Sequence, residues 1–164
     1  MNILLAADGS PYTQIAARHL INHLGWFARP PEVHVVHVQP SIPYARAESV
    51  AGKGAVHDYQ REESEAALAL AESELDKAGI AYHSAWRVGE VAAELAAYVK
   101  ENAIDLVVMG SHGKGALANL AMGSVVTKCI ATLEVPVMIV RHAPAAKAAA
   151  NASGAAKVPS EVAR

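Results

Sequence analysis

Apolar residues along this chain gather in short runs separated by longer segments in which they recur every three or four positions. The runs are Ile3 to Ala7, Val33 to Val38, Ile80 to Trp86, Ile104 to Met109 and Val135 to Val140. Runs of this length, rich in Val, Ile and Leu, predict strands buried on both faces of a sheet. Between them, Ile15, Ala16, Leu20 and Leu24 keep a helical spacing. Ser10 stands as N-cap, Pro11 at the first helical position, where its missing N–H costs nothing, and Gly25 as the stop. A second helix is expected from Asp58 to Ala78, with Ala66, Leu70, Ala71 and Leu75 facing inward, Glu62, Glu63 and Glu65 facing out, and Gly79 ending it. Val88-Gly89-Glu90 opens a third, striped by Val91, Leu95, Tyr98 and Val99 and stopped at Asn102. Ser124 caps a fourth, which would bury Val126, Cys129, Ile130 and Leu133.

Strictly alternating strands and helices predict an α/β domain: a five-stranded parallel sheet with helices on both faces and right-handed crossovers, Rossmann-like, in the order 3-2-1-4-5. Pro136 lacks a ladder donor, which places the last strand at an edge. This order leaves a crevice between the first and fourth strands, and in open parallel sheets ligands bind at such a point, beyond the carboxyl ends of the strands. Asp8 and the loop starting at Gly110 flank it.

Two segments break the pattern. Gln39 to Val56 contains Pro40, Pro43, Gly52 and Gly54, and reads either as a lid over the crevice or as a disordered crossover. After Arg141 the chain is mostly Ala, interrupted by Pro144, Gly154 and Pro159, so residues 143–164 are expected to be a mobile tail on a domain of residues 1–142.

Composition narrows the function classes. A chain of 164 residues suffices for one domain with a proper core. A net charge of −2 lacks the basic footprint of a nucleic-acid binder. No apolar run approaches the roughly 20 residues that span a bilayer. The single cysteine, Cys129, excludes an internal disulfide and suits a reducing compartment, and the first residues do not form a signal peptide, so a cytoplasmic protein is expected.

The chemistry concentrates in Gly110-Ser-His-Gly113-Lys114, followed at Gly123-Ser124 by a helix start. Glycines let a backbone approach a ligand closely or adopt positive φ. The free amides of Ser124 and Val125, with the helix dipole behind them, favour an anion. A P-loop needs four residues between its first glycine and Gly-Lys-Ser/Thr; here there are two, and Gly115 stands in place of the metal-binding hydroxyl. The dinucleotide fingerprint is missing after the first strand, where Asp8-Gly9-Ser10 stands.

What is present is Gly-x-x-Gly, nine residues (114 to 122), then Gly-Ser. In this the sequence resembles the universal stress protein family, and the likeness runs from Met1 to Arg141, including the opening Ile-Leu-Leu-Ala-Ala-Asp-Gly-Ser, the His37-Val38 pair and the closing Val-Pro-Val-Met-Ile-Val-Arg. The resemblance implies an ATP-binding protein, usually a homodimer paired through its last strand (here Val135 to Val140), with a role in stress response. It places Ala7, Asp8 and Val38 at the adenosine, Met109 and Gly110 along the ribose, and Gly113, Gly123, Ser124 and Val125 at the phosphates. Many relatives of this kind carry a basic residue shortly before the second glycine, where this chain has Asn119, Leu120, Ala121 and Met122. Phosphate charge then falls to Lys114, to backbone amides and to a magnesium or manganese ion carried by the phosphates, which leaves ATP, ADP and AMP all as expected ligands.

Other reactive-looking residues have plainer readings. His19 and His23 share a helix face at i, i+4 without a completing ligand and read as surface histidines. His34 and His37 fall on opposite faces of their strand and cannot chelate together. His112 reads either as a phosphate contact or as an exposed loop residue. Ser111 and His112 are adjacent in a loop and are not expected to aim at each other as a dyad. Asp8 contacts the ligand or caps the first helix, Lys114 meets phosphate or solvent, and Cys129 is expected in the core. No residue near the loop is an evident base, so at most slow ATP hydrolysis or autophosphorylation is expected. A dimer module without nucleotide is the remaining alternative.

Overall fold

The computed structural model describes residues 1–41, 53–115 and 122–141. The expected tail and most of the segment between Pro40 and Val56 therefore lie outside the described residues, as do Asn119, Leu120 and Ala121. The strands are β1 (Asn2–Ala7), β2 (Glu32–Gln39), β3 (Tyr82–Val88), β4 (Leu106–Gly110) and β5 (Val137–Val140). The helices are α1 (Pro11–Asn22), α2 (Lys53–Lys77), α3 (Val91–Glu101) and α4 (Ser124–Thr132). All four strand pairings are parallel, in the order β3-β2-β1-β4-β5. The predicted sheet is the observed one, with β5 at an edge.

Alternation along the strands builds two cores. Ile3, Leu5, Val33, Val35 and Val108 meet α1 and α2 on one face. Leu4, Val36, Val38, Val107 and Met109 meet α3 and α4 on the other. β1 and β4, at the centre, have their apolar residues buried on both faces, as a parallel sheet requires.

Several boundaries differ from the sequence reading, each for a local reason. α1 ends at Asn22, and Gly25 lies in a short 3-10 turn, Leu24–Trp26. α2 begins at Lys53, so Gly54 sits inside the helix, and Asp58 is an interior residue, paired with Arg61 at 3.8 Å, rather than the first. The inward seam of α2 is Ala67, Leu68, Ala71 and Leu75, with Gln60, Ser64 and Glu74 buried among them. Ala66 is exposed and Leu70 half-buried.

β3 starts at Tyr82, because Ile80 is used to close the helix before it. Its amide donates to Leu75 O at 3.0 Å while Gly79, at φ 66°, donates to Asp76 O. The same closure ends α3, where Ile104 donates to Val99 O and Ala103 takes the left-handed position at φ 46°. At α4 the N-cap is Gly123, with Ser124 the first helical residue. Val126 and Cys129 are buried, but Ile130 is 49% exposed and Leu133 only half-buried. β5 starts at Val137; Pro136 precedes it and offers its carbonyl to the Val107 amide.

Candidate functional site

Between β1 and β4 the sheet order switches, and the loops leaving these strands part to form a cleft of about 530 Å³. That volume falls in the range of small-molecule sites. All ten residues picked out in the sequence line it: Ala7, Asp8, Val38, Met109, Gly110, Gly113, Lys114, Gly123, Ser124 and Val125.

The β1–α1 turn is built around Asp8. Its Oδ1 accepts from the Ser10 amide (3.0 Å) and the Thr13 hydroxyl (2.7 Å), while Thr13 Oγ1 in turn accepts from the Asp8 amide. Its Oδ2 accepts from the Lys114 amide at 3.0 Å, fastening the glycine loop after β4 to the turn after β1. Burial opposes ionisation of this carboxyl, but the hydrogen bonds from Ser10, Thr13 and Lys114 outweigh it and hold its pKa below the ordinary aspartate value. Asp8 does not cap α1, whose N-cap is Ser10 with no side-chain cap bond. It braces the start of α1 and also stands on the cleft wall.

The glycines serve the chain's own packing more than the sequence implied. Neither Gly110 nor Gly113 has positive φ; among the described glycines that conformation belongs to Gly9 and Gly79. A Cβ on Gly9 would meet the Ala67 Cα at 2.8 Å, so this turn and α2 approach closely only because it has none. A Cβ on Gly110 would lie 2.6 Å from that of Tyr12, and one on Gly113 would lie 2.4 Å from Asp8 Oδ2. Gly123 differs: a Cβ there would make contacts of 3.4 Å or more, with the cleft beside it.

The N-terminus of α4 opens on the cleft. Its first intrahelical bond runs from the Thr127 amide to Gly123 O, which leaves the amides of Ser124 and Val125 directed outward. Among the described residues no side chain caps this end. Gly123 itself is tied back by its amide to Ser111 O at 2.9 Å. Lys114 is exposed and, among the described residues lining the cleft, is the only Lys or Arg.

The sequence reading missed several wall residues. Thr13, His37, Gln39 and Glu63 line the cleft, Glu63 having been assigned to a solvated helix face. The signal for His37 was available in the sheet geometry. Its Nδ1 lies 2.7 Å from Ala7 O across the β1–β2 ladder and its Nε2 3.2 Å from Gln39 Oε1. The Ser111–His112 expectation is also corrected: Ser111 Oγ and His112 Nδ1 are hydrogen-bonded at 3.0 Å. Ser111 is buried and does not line the cleft, so the pair orients the His112 ring, which packs 5.3 Å from that of Tyr12. His112 is on the wall. Cys129 is fully buried as expected, and burial, with Glu90 nearby, pushes its thiol up to about 11. Among the described residues no helix is long and apolar enough to cross a membrane.

Comparison with known proteins bears on the same region. The sequence model of the universal stress protein family matches residues 1–141. A universal stress protein of Methanocaldococcus jannaschii, MJ0531, is 27% identical over 139 residues, covering 85% of this chain and 81% of that one. Among solved structures, hypothetical protein MJ0577 superposes with a TM-score of 0.73 at 24% identity, over 88% of this chain and 97% of its own. The universal stress protein of Archaeoglobus fulgidus in complex with dAMP superposes with a TM-score of 0.62 at 22% identity, over 85% of this chain and 96% of its own. These likenesses establish the shared fold.

Proposed function

The chain belongs to the universal stress protein family, and from that premise we propose that its cleft binds an adenine nucleotide: ATP, ADP or AMP. The observation that carries this reading is the meeting, in one cleft, of an uncapped helix N-terminus, the exposed Lys114 and an apolar wall. Val36, Val38, Val91 and Leu95 give that wall a surface suited to a flat, weakly polar base. Met109 and Gly110 follow along the ribose. Gly113, Lys114, Gly123, Ser124 and Val125 form the polar end, where phosphate oxygens accept from backbone amides. That a relative of this fold is held in complex with dAMP supports the adenine assignment.

Charge orders the candidates. Lys114 and a helix end face two carboxylates on the wall, Asp8 and Glu63. Both Asp8 oxygens already accept from the chain. A metal-free triphosphate therefore brings more negative charge than the wall neutralises. Magnesium or manganese would ride on the phosphates, and Glu63 is a second carboxylate on the same wall. Occupancy would then alter association with a second copy or a partner, a stress or signalling role in which no residue is assigned to catalysis.

Calorimetric titration with ATP, ADP, AMP and adenosine, with and without magnesium, tests this. ATP should bind with magnesium and more than tenfold weaker without it, while AMP should be indifferent to the ion. Gly123→Val should keep a wild-type circular dichroism spectrum, because the space beside Gly123 accepts a side chain, yet lose nucleotide binding. Wild-type affinity in that variant would remove the phosphates from α4. If no adenine compound binds the wild type, the whole reading fails.

A further inference from the structure

Outside the cleft, three side chains with metal-ligating atoms meet. Glu32 opens β2, and His34 follows two positions later, so strand alternation puts both on the face covered by α3. β3 pairs with β2 in a register that sets His83 beside His34, and neighbouring residues of a parallel pair share a face. One ligand atom from each of the three lies within 4.8 Å of the others. His83 Nε2 is 2.7 Å from Glu32 Oε1, His34 Nε2 is 3.9 Å from the same oxygen, and the two imidazole rings stand 4.9 Å apart.

His34 is the informative member. It is only 6% exposed, and its Nδ1 lies 3.0 Å from the Tyr98 hydroxyl of α3. Its Nε2, equally buried, has no hydrogen-bond partner among the described residues. A buried ring nitrogen left without a partner is unfavourable, and this one faces the gap between Glu32 and His83. With the Nδ1 proton donated to the Tyr98 oxygen, the Nε2 lone pair is directed into that gap. This is how a metal-binding histidine is ordinarily held, its far nitrogen fixed by an outer hydrogen bond.

We propose that Glu32, His34 and His83 form a binding site for a divalent transition metal of the zinc class, with Tyr98 orienting His34. Two imidazoles and one carboxylate are a borderline donor set, which selects zinc, copper or nickel over the oxygen-seeking magnesium and calcium. His34 is fixed by packing, whereas Glu32 and His83 have side chains 55% and 62% exposed and can swing to their bonding distances. Water fills what remains of the coordination sphere from the solvent side. The ion would tie the edge strand β3 to β2. None of Glu32, His34, His83 and Tyr98 lines the nucleotide cleft, whose nearest wall residue along β2 is Val36, two positions after His34, so the two sites are neighbours that share no residue.

The test is a titration of the full chain, first stripped with chelator, with Zn²⁺ in competition with a chromophoric chelator. One equivalent should bind per chain. His83→Ala, which removes an exposed side chain, and Glu32→Gln should each weaken binding at least about tenfold, and Tyr98→Phe by about tenfold through the lost orienting bond. The paired histidines of α1, His19 and His23, have rings 4.1 Å apart and are the rival site. The His19→Ala/His23→Ala double variant should bind zinc as the wild type does. The proposal is overturned if binding is lost in that double variant, if His83→Ala binds as tightly as wild type, or if the wild type binds no zinc.

Discussion

An alanine Cβ at position 113 would sit 2.4 Å from Asp8 Oδ2, the oxygen that accepts from the Lys114 amide. No rotamer of the new residue can relieve that contact, because Cβ is fixed by the backbone; the carboxylate or the loop must move. Either movement breaks the bond between the loops flanking the cleft. Gly113→Ala should therefore weaken nucleotide binding at least tenfold by calorimetry. It should also cost about 1.5–3 kcal/mol in urea unfolding, the usual range for a hydrogen bond to a charged group. Gly123→Ala, whose Cβ meets nothing closer than 3.4 Å, should leave stability near wild type. Equal stability losses in both variants would mean that the Asp8–Lys114 bond does not hold the loop. The sequence shows the glycines of this region but not their tasks. Gly9 is required by its backbone angle and Gly110 and Gly113 by neighbouring atoms, whereas Gly123 borders open space in the cleft.

Between α1 and α2 the contact is organised by one acid. Glu74, only 9% exposed, accepts from Gln14 Nε2 (2.9 Å) and from Arg18 Nε (2.8 Å) and Nη2 (3.0 Å), with Lys77 at 3.5 Å. The Arg18 and Gln14 hydrogen bonds, with the Arg18 and Lys77 charges, outweigh burial and hold its carboxyl at about 2 against an ordinary 4.5. A depressed folded pKa means that its stabilising effect is complete above about pH 4.5 and is lost as pH falls towards 2. Glu74→Gln should lower the neutral-pH Tm by several degrees and flatten the decline of Tm with acid in that window; parallel Tm–pH curves for variant and wild type would show that Glu74 does not set it. This buried acid also explains why the phase of α2 was misread. A scan for apolar positions passes over Gln60, Ser64 and Glu74, though they lie on the same seam as Ala67, Leu68, Ala71 and Leu75. Element order was legible because each strand is a compact apolar run and parallel crossovers admit few arrangements. The cleft was legible because its glycines and Ser124 stand at fixed spacing in one stretch. The Glu32–His34–His83 cluster was not, since nothing in the chain announces that His34 pairs with His83 until the β2–β3 register is known.

At the scale of the molecule, the open question is what lies beyond β5. Its pairing with β4 uses the carbonyls of Pro136 and Val140, which accept from the Val107 and Ser111 amides. Alternation then turns the backbone groups of Met138 and Val140 towards β4 and those of Val137 and Ile139 outward. Among the described residues no strand pairs with that outer side. The side chains of Val137, Met138 and Ile139 are half-buried, so the edge is apolar as well as unpaired, a combination that proteins ordinarily cover. We propose that a second copy covers it, β5 against β5, which would be an isologous interface with a two-fold axis. Hydrogen–deuterium exchange at residue resolution reads this directly. The Met138 and Val140 amides should be protected at every protein concentration, because β4 occupies them. Protection of the Val137 and Ile139 amides should rise with concentration, in step with a dimer seen by sedimentation. If those two exchange freely at all concentrations, β5 is not the interface. If they are protected equally in dilute and concentrated samples while the chain sediments as a monomer in both, the chain covers its own edge and association through it is excluded. A further rise in their protection when saturating nucleotide is added would link the cleft to this edge, since β4 ends at Gly110 on the cleft wall and pairs with β5 from Val107 to Gly110.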